Sequence, residues 1–401
     1  MLNEKEVSRR SFLEQSAVAA AGAGLATACA TAQTGLESVA LAPDEKLRVG
    51  ILGCGNRSTT HIEGINQHPR MEVVAMCDIL PEMMDEKKAL LEGPAPRLFT
   101  DYEQMLKEAD MHAVVNVLPN TLHKAGTIAS MQAGFHVLCE KPLSLLVTEC
   151  RDMIAASEKY RKVLQVGTQS RYTPNNAAIA EKVHSGLIGN VLYAWLHVFR
   201  ADWRKLHPDP VEDARINWRM QQDQCGGIIF EQGIHQLDYF NWFINSEPEE
   251  ITCMGGINNT RLEKRNSWDH IGLVVRYANN ALMTCGGNLY GCGGTGEDCL
   301  FGDKGTLEIR GRGNGGAILH TRTYWRPYGM GEDPIKKSDK VKLSDKKGNA
   351  SYLQYDGFMD AVEGKAPPFP SGRDHVAAVQ IARGAMLAME AGGHIKASEV
   401  D

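Results

Sequence analysis

The stretch Leu47-Arg48-Val49-Gly50-Ile51-Leu52-Gly53-Cys54-Gly55-Asn56-Arg57-Ser58 constrains this chain more than any other. A short apolar run reads as a buried strand, and two glycines one residue apart follow at once. Such a turn tolerates unusual backbone angles and lets a ligand approach main chain that a side chain would otherwise cover. A helix entered through it presents free N–H groups and the positive end of its dipole to an anion. Further apolar runs follow at Met71–Cys77, Ala113–Val117, His136–Cys139 and Val163–Val166, separated by amphipathic stretches such as Glu82–Leu91 and Thr121–Ala133. Apolar strands alternating with helices predict a parallel sheet covered on both faces, an α/β fold.

Asp78 ends the second of these strands, 25 residues beyond Gly53. That is near the offset of about 20 residues at which a carboxylate meets the adenosine ribose of a dinucleotide. Its charge repels a 2′-phosphate, and Ile79-Leu80-Pro81 supplies no arginine to accept one, so NAD is favoured over NADP. Ser58 stands where a third glycine is usual and is small enough for close helix–strand packing.

Beyond Gly167 the texture changes. Val191–Val198 reads as a strand, Arg200–Gln224 as an irregular charged segment and Gly233–Ile244 as a helix. Glu250–Gly255, His270–Tyr277 and Ala281–Leu289 alternate as strands do, and the Asn279-Asn280 connection points to an antiparallel sheet. Gly286–Gly296 reads as a glycine-rich loop, and Asp374–Ala391 as a final helix packing back across the molecule. The expected division is a signal over 1–32, a linker over 33–45, a nucleotide-binding domain over 46–166 and a substrate-binding and oligomerisation domain over 167–401.

A formal net charge of −6 over 401 residues argues against a nucleic-acid partner, which needs a concentrated basic surface. No run of 18 apolar residues occurs outside the N-terminus, so no stable membrane span is expected. Ser8-Arg9-Arg10-Ser11-Phe12-Leu13 ahead of an Ala/Gly-rich stretch resembles a twin-arginine export signal. It predicts a periplasmic protein, with Cys29 as an alternative lipid-anchoring site. The ten cysteines include no CxxC pair. Cys285, Cys292 and Cys299 recur every seven residues, a spacing that a strand with intervening glycines does not gather around one ion, so no metal is expected.

Pro119-Asn120-Thr121-Leu122-His123 and Glu140-Lys141-Pro142, each after a strand, resemble the signature of the Gfo/Idh/MocA family, which includes glucose–fructose oxidoreductase and inositol dehydrogenase. Asn217-Trp218-Arg219 and the run Gly226 to Asp238 extend the resemblance over residues of about 46–390. It implies an N-terminal Rossmann domain and a C-terminal α/β domain whose large, open, mainly antiparallel sheet often forms the oligomer interface. Substrate is then held between the nicotinamide and that sheet's domain.

By this resemblance Lys141 is the catalytic lysine, joined by His235 and Glu231. His235 is the natural proton acceptor near neutral pH. Glu231 replaces the family's usual aspartate and is one methylene longer. Gly53, Gly55, Asn56, Arg57, Asp78, Pro119, Asn120, His123, Glu140, Lys141 and Gln169 are the expected cofactor contacts. Arg171, Tyr172, Trp218, Arg219 and His235 are the expected substrate contacts, with Asp202, Trp203, Arg204 and His207 as further specificity candidates.

These residues imply an NAD-dependent oxidoreductase with a tightly held cofactor, acting on a secondary alcohol of a sugar, cyclitol or glycoside. A homo-oligomer formed through the C-terminal sheet is also expected. Two alternatives use the same cofactor site. One is a redox-neutral glycosidase or lyase working by transient ring-hydroxyl oxidation and elimination. The other is a non-catalytic nucleotide and sugar sensor.

Overall fold

The computed structural model describes residues 35–203, 205–258, 264–290, 297–311, 316–322, 336–344 and 348–401. The signal region, Arg204 and Cys292 therefore lie outside the described residues. The first sheet is built from β1 (Leu47–Leu52), β2 (Met71–Cys77), β3 (Arg97–Phe99), β4 (Ala113–Asn116), β5 (His136–Cys139) and β6 (Leu164–Val166). Its order is β3-β2-β1-β4-β5-β6, with every pair parallel. β3 was not legible in the sequence because it is a three-residue edge strand with two of its side chains exposed.

Helices α1 (Asn56–Gln67), α2 (Pro81–Lys88), α3 (Tyr102–Glu108), α4 (His123–Gln132) and α5 (Val147–Tyr160) connect the strands and cover the sheet. The direction of winding reverses between β1 and β4, and the crevice outside the carboxyl ends of those strands is the expected ligand site of such a sheet.

After α6 (Pro174–His184) a second sheet takes over, in the order β14-β13-β12-β11-β7-β10-β9-β8-β15. Its strands are β7 (Val191–Phe199), β8 (Pro248–Gly256), β9 (His270–Tyr277), β10 (Leu282–Asn288), β11 (Asp298–Gly302), β12 (Thr306–Ile309), β13 (Ala317–Arg322), β14 (Lys336–Lys340) and β15 (His394–Lys396). Only the β7–β10 pair is parallel, so the sheet is mainly antiparallel as expected. The glycine-rich segment was expected to be a loop from Gly286, yet β10 runs through Gly286, Gly287 and Asn288. Ladder pairing with β7 and β9 overrides the low strand propensity of glycine there.

Between β7 and β8 lie the short helices α7 (Pro210–Ile216) and α8 (Gln222–Cys225), a π-helical turn over Ile229–Gly233, and α9 (Ile234–Ile244). α10 (Ala350–Val362) and α11 (Gly372–Glu390) complete the chain ahead of β15. α11 packs across β8, α9 and α5, which joins the two sheets' helical layers.

Two expected boundaries shift. α10 buries Tyr355, Phe358, Met359 and Val362 in the core of the first sheet, against α1, although 167–401 was assigned to the second domain. The expected linker is likewise anchored in its described part, since Leu36, Val39 and Leu41 pack on that core and Val39 N–H donates to the Val362 carbonyl at 2.9 Å. Apolar residues that are sparse along the chain become buried when a helix from a distant segment covers them.

Cys285 and Cys299 pair with Leu196 and Trp195, successive residues on opposite sides of β7. Alternation along a strand sends the two thiols to opposite faces of the sheet.

Candidate active site

Gly53 has φ +89°, and a Cβ there would sit 2.7 Å from the Val117 carbonyl oxygen, so the turn needs glycine for its own packing. Gly55 differs. It caps α1 with no side-chain hydrogen bond to the helix's first N–H groups, and its Cβ direction meets open space. That combination is a cradle for an anion held by main-chain donors. Asn56 and Arg57 open the helix beside it, while Ser58 is fully buried and its hydroxyl donates to the Gly55 carbonyl at 2.6 Å. Asp78 sits at the end of β2, where its carboxylate accepts from the Cys54 and Leu80 N–H groups at 2.7 and 3.0 Å. Cradle, helix end and carboxylate together fit the pyrophosphate and adenosine ribose of a dinucleotide.

A cleft of about 280 Å³ opens at the carboxyl ends of β4, β5 and β6, and the second domain closes its other side. From the first domain it is lined by Arg57, Val117, Leu118, His123, Glu140, Lys141 and Gln169. From the second it is lined by Trp203, Trp218, Arg219, Glu231, Gln232 and His235.

The Lys141 amine donates to the Glu231 main-chain carbonyl at 2.9 Å. Burial drives its pKa down from the ordinary lysine value, with Glu231 and Glu140 opposing the shift and Arg219 and Arg57 adding to it. Glu231 accepts from Asn120 Nδ2 and Arg219 Nε, each at 2.8 Å. Burial favours its neutral form, but the Lys141 and Arg219 charges and these hydrogen bonds outweigh that and keep it ionised. Asn120 thus reaches the site by steering Glu231 rather than by lining the cleft.

His235 and Glu231 do reach one cleft. The turn between them is π-helical, which re-aims Glu231 relative to an ordinary helical face. The His235 Nδ1 is buried with no partner. Burial and the nearby Lys141 charge push its pKa down to about 3, so the ring is neutral throughout the physiological range. A ring so disfavoured as a cation stays neutral, with Nδ1 open to a hydrogen bond from a bound molecule.

His123 is buried with its Nδ1 and Nε2 at 2.7 and 2.8 Å from the Pro142 and Leu118 carbonyls, tying together the loops after β4 and β5. Pro119 precedes the short turn Asn120–Leu122 that leads to it. Gln169 lines the cleft with a buried Oε1 that has no partner, as does Trp203 with its Nε1. The Arg219 guanidinium lies 4.3 Å from the Trp218 ring centroid. Gln232 was missed because nothing in its type or spacing distinguishes it from its neighbours.

Four expected contacts go elsewhere. Arg171 is buried, its guanidinium paired with Asp238 at 2.7 Å and set against Trp242 and Phe369. Tyr172 donates its hydroxyl to the Phe369 carbonyl. Asp202 pairs with the buried Arg265, and His207 accepts from the Asp209 N–H at 3.1 Å in the loop before α7. In each case a partner distant from the motif, or a local turn, captures the polar group. Arg171→Ala should therefore cost about 3–5 kcal/mol of stability, since it removes the cation paired with the buried Asp238 carboxylate and leaves it His375 alone. Denaturant melts should show that loss, and an unchanged midpoint would refute the structural assignment.

Residues 47–168 match the family profile described as an oxidoreductase family's NAD-binding Rossmann fold. Residues 180–397 match that of the same family's C-terminal alpha/beta domain. A myo-inositol 2-dehydrogenase of Thermotoga maritima is 25% identical over 88% of this chain and 99% of its own. The WlbA dehydrogenase of Bordetella pertussis, solved with NADH and UDP-GlcNAcA, superposes with a TM-score of 0.71 at 22% identity, over 88% of this chain and 99% of that one. An aldose-aldose oxidoreductase of Caulobacter crescentus, solved with glycerol, gives 0.70 at 22% identity, over 88% and 100%.

Proposed function

The chain belongs to the Gfo/Idh/MocA family of NAD-binding oxidoreductases, and from that premise we propose that it oxidises a secondary alcohol of a sugar or cyclitol in the cleft around Lys141. The observation that carries this reading is one cleft holding a lysine of lowered pKa and a neutral histidine with an unpartnered nitrogen, beside an open glycine cradle. The inositol-dehydrogenase, WlbA and aldose-aldose oxidoreductase relatives support the substrate class.

Gly53, Gly55 and the first turn of α1 would hold the pyrophosphate, Asp78 the adenosine ribose, and Gln169 the nicotinamide end. When bound, NAD supplies the hydride acceptor. Neutral Lys141 takes the hydroxyl proton on Nζ, and the resulting ammonium is stabilised by the Glu231 carbonyl and by the Glu231 and Glu140 charges. His235 hydrogen-bonds a substrate oxygen through its free nitrogen. Trp203 and Trp218 offer apolar faces to a sugar ring, and Arg219 and Gln232 offer polar atoms to its hydroxyls.

The test is to incubate the protein with NAD and a panel of sugars, cyclitols and glycosides while following NADH absorbance. Net NADH supports the reading, whereas glycoside cleavage without it would replace the reading with the redox-neutral alternative. Because the amine must be neutral to accept a proton, oxidation should rise with pH through a midpoint below the ordinary lysine value of about 10.4. The reverse reduction needs the ammonium and should fall over the same range. A profile flat from pH 6 to 10 counts against Lys141 as the acceptor.

Two further readings concern where the protein acts and how it assembles. The Arg9-Arg10 segment supports twin-arginine export to the periplasm with the cofactor loaded before transport, since binding the native state also stabilises it. Near-stoichiometric NAD(H) released on denaturing protein purified from the periplasm would agree with this; empty protein would not. The outward face of the second sheet exposes Trp195, Val274, Leu282 and Met254, which supports self-association through that face. A monomer by sedimentation at working concentration would exclude it.

A further inference from the structure

We propose that Tyr355 and His61 are positioning residues for the reacting lysine, acting through a buried hydrogen-bonded chain that ends on the Glu140 carboxylate. The proposal rests on the reading of Lys141 as proton acceptor.

The Tyr355 hydroxyl lies 2.6 Å from His61 Nδ1, and His61 Nε2 lies 2.9 Å from Glu140 Oε1. Arg57 Nε donates to the same oxygen at 2.6 Å, and Glu140 Oε2 accepts the Lys141 main-chain N–H at 2.9 Å. His61 and Tyr355 are fully buried and Glu140 is 3% exposed.

The proton positions follow from the inventory of donors. A carboxylate only accepts, so Nε2 of the neutral ring carries the hydrogen. Nδ1 is then an acceptor, and the tyrosine donates to it. Burial favours the neutral ring over the pull of Glu140, and Arg57 and His61 hold Glu140 well below the usual carboxylate range against burial.

Two glycines leave room for this chain. A Cβ on Gly64 would lie 2.6 Å from the Tyr355 ring, and one on Gly167 would lie 3.0 Å from the Glu140 carboxyl. The partners come from α1, the loop after β5 and α10, so the chain clamps the cofactor helix and the catalytic loop to a segment nearly 300 residues away from α1.

Arg57 faces Glu140, His61 and Tyr355, while Glu231, Glu140, Arg219 and Arg57 face the Lys141 amine. Of these, Glu140 is one of the two that favour the ammonium. Without the tyrosine hydroxyl, Nδ1 loses its donor, while Nε2 keeps its hydrogen against the carboxylate and the ring is held at one end alone. A ring anchored at one end can pivot, Glu140 loosens with it, and the lysine loses part of its main-chain anchor and of its supporting charge.

Tyr355→Phe keeps the ring and removes the donor. It should lower kcat by roughly 3- to 10-fold, leave the KM for NAD unchanged, and move the midpoint of the rise in oxidation down by about half a pH unit. Glu140→Gln should move both further in the same direction, and adding Tyr355→Phe to it should change little, because one chain cannot be cut twice. Independently of turnover, ring-¹⁵N-histidine NMR should show His61 as the Nε2–H tautomer in both proteins, with the Nδ1 resonance moved downfield in Tyr355→Phe, where it no longer accepts a hydrogen bond.

A Tyr355→Phe protein whose kcat and pH profile are unmoved, or whose effect adds fully to Glu140→Gln, overturns the proposal, as does a wild-type Nδ1–H tautomer. Activity in Lys141→Ala would instead sink the reading of the cleft, and this proposal with it.

Discussion

Lys141→Ala is expected to reduce turnover by on the order of 100-fold or more while NAD still binds. The lysine stands at the carboxyl end of β5, where its amine meets the Glu231 carbonyl and the cleft. Burial lowers its affinity for the proton, while His235 is held neutral down to about pH 3 and Glu231 is committed to Asn120 and Arg219. Truncation leaves the glycine turn and Asp78 untouched, so cofactor affinity should stay within a few-fold. Steady-state kinetics and isothermal titration with NAD separate the two effects. Activity within a few-fold of wild type would remove Lys141 from the chemistry.

Gly55→Val should lower NAD affinity by about 100-fold or more without unfolding the protein. The residue's φ of −69° suits any side chain, and nothing in the fold occupies its Cβ direction. A branched side chain there costs the protein little, but it fills the space where a pyrophosphate meets the helix N-terminus. Gly53→Ala is the contrasting variant. At φ +89° with the Val117 carbonyl 2.7 Å from the new Cβ, it should lower the melting temperature of nucleotide-free protein as well. Equal melting temperatures for the two variants, or NAD affinity preserved in Gly55→Val, would show that the cradle has been misplaced.

The elements legible in the sequence were those whose signal is local. Apolar runs over 47–52, 71–77, 113–117 and 136–139 fall on observed strands, because a strand buried on both faces is filled mainly by apolar side chains. The glycine turn and Asp78 were legible because main-chain geometry and a strand-end carboxylate leave marks at short spacing. β11 through β14, by contrast, are short, part-exposed strands whose pairing partners decide their existence. β15 is a three-residue edge strand recruited by β8. Arg171 and Tyr172 follow β6 as the cleft residue Gln169 does, and only the packing of Asp238, Trp242 and Phe369 draws them away.

By itself, then, the sequence determined the parallel nucleotide-binding sheet, the preference for NAD, and the membership of Lys141, Glu231 and His235 in one site. The first two follow from residue type, strand period and motif spacing, and the third from the family resemblance that the motifs carry. Tertiary structure alone shifted the proton affinities within that site. The charge of a group depends on desolvation and on neighbours that are remote along the chain: Lys141 lies 94 residues from His235, and His61 lies 294 from Tyr355. Burial beside Lys141 holds the His235 ring neutral, and no property of residues 231–238 alone could have disclosed it.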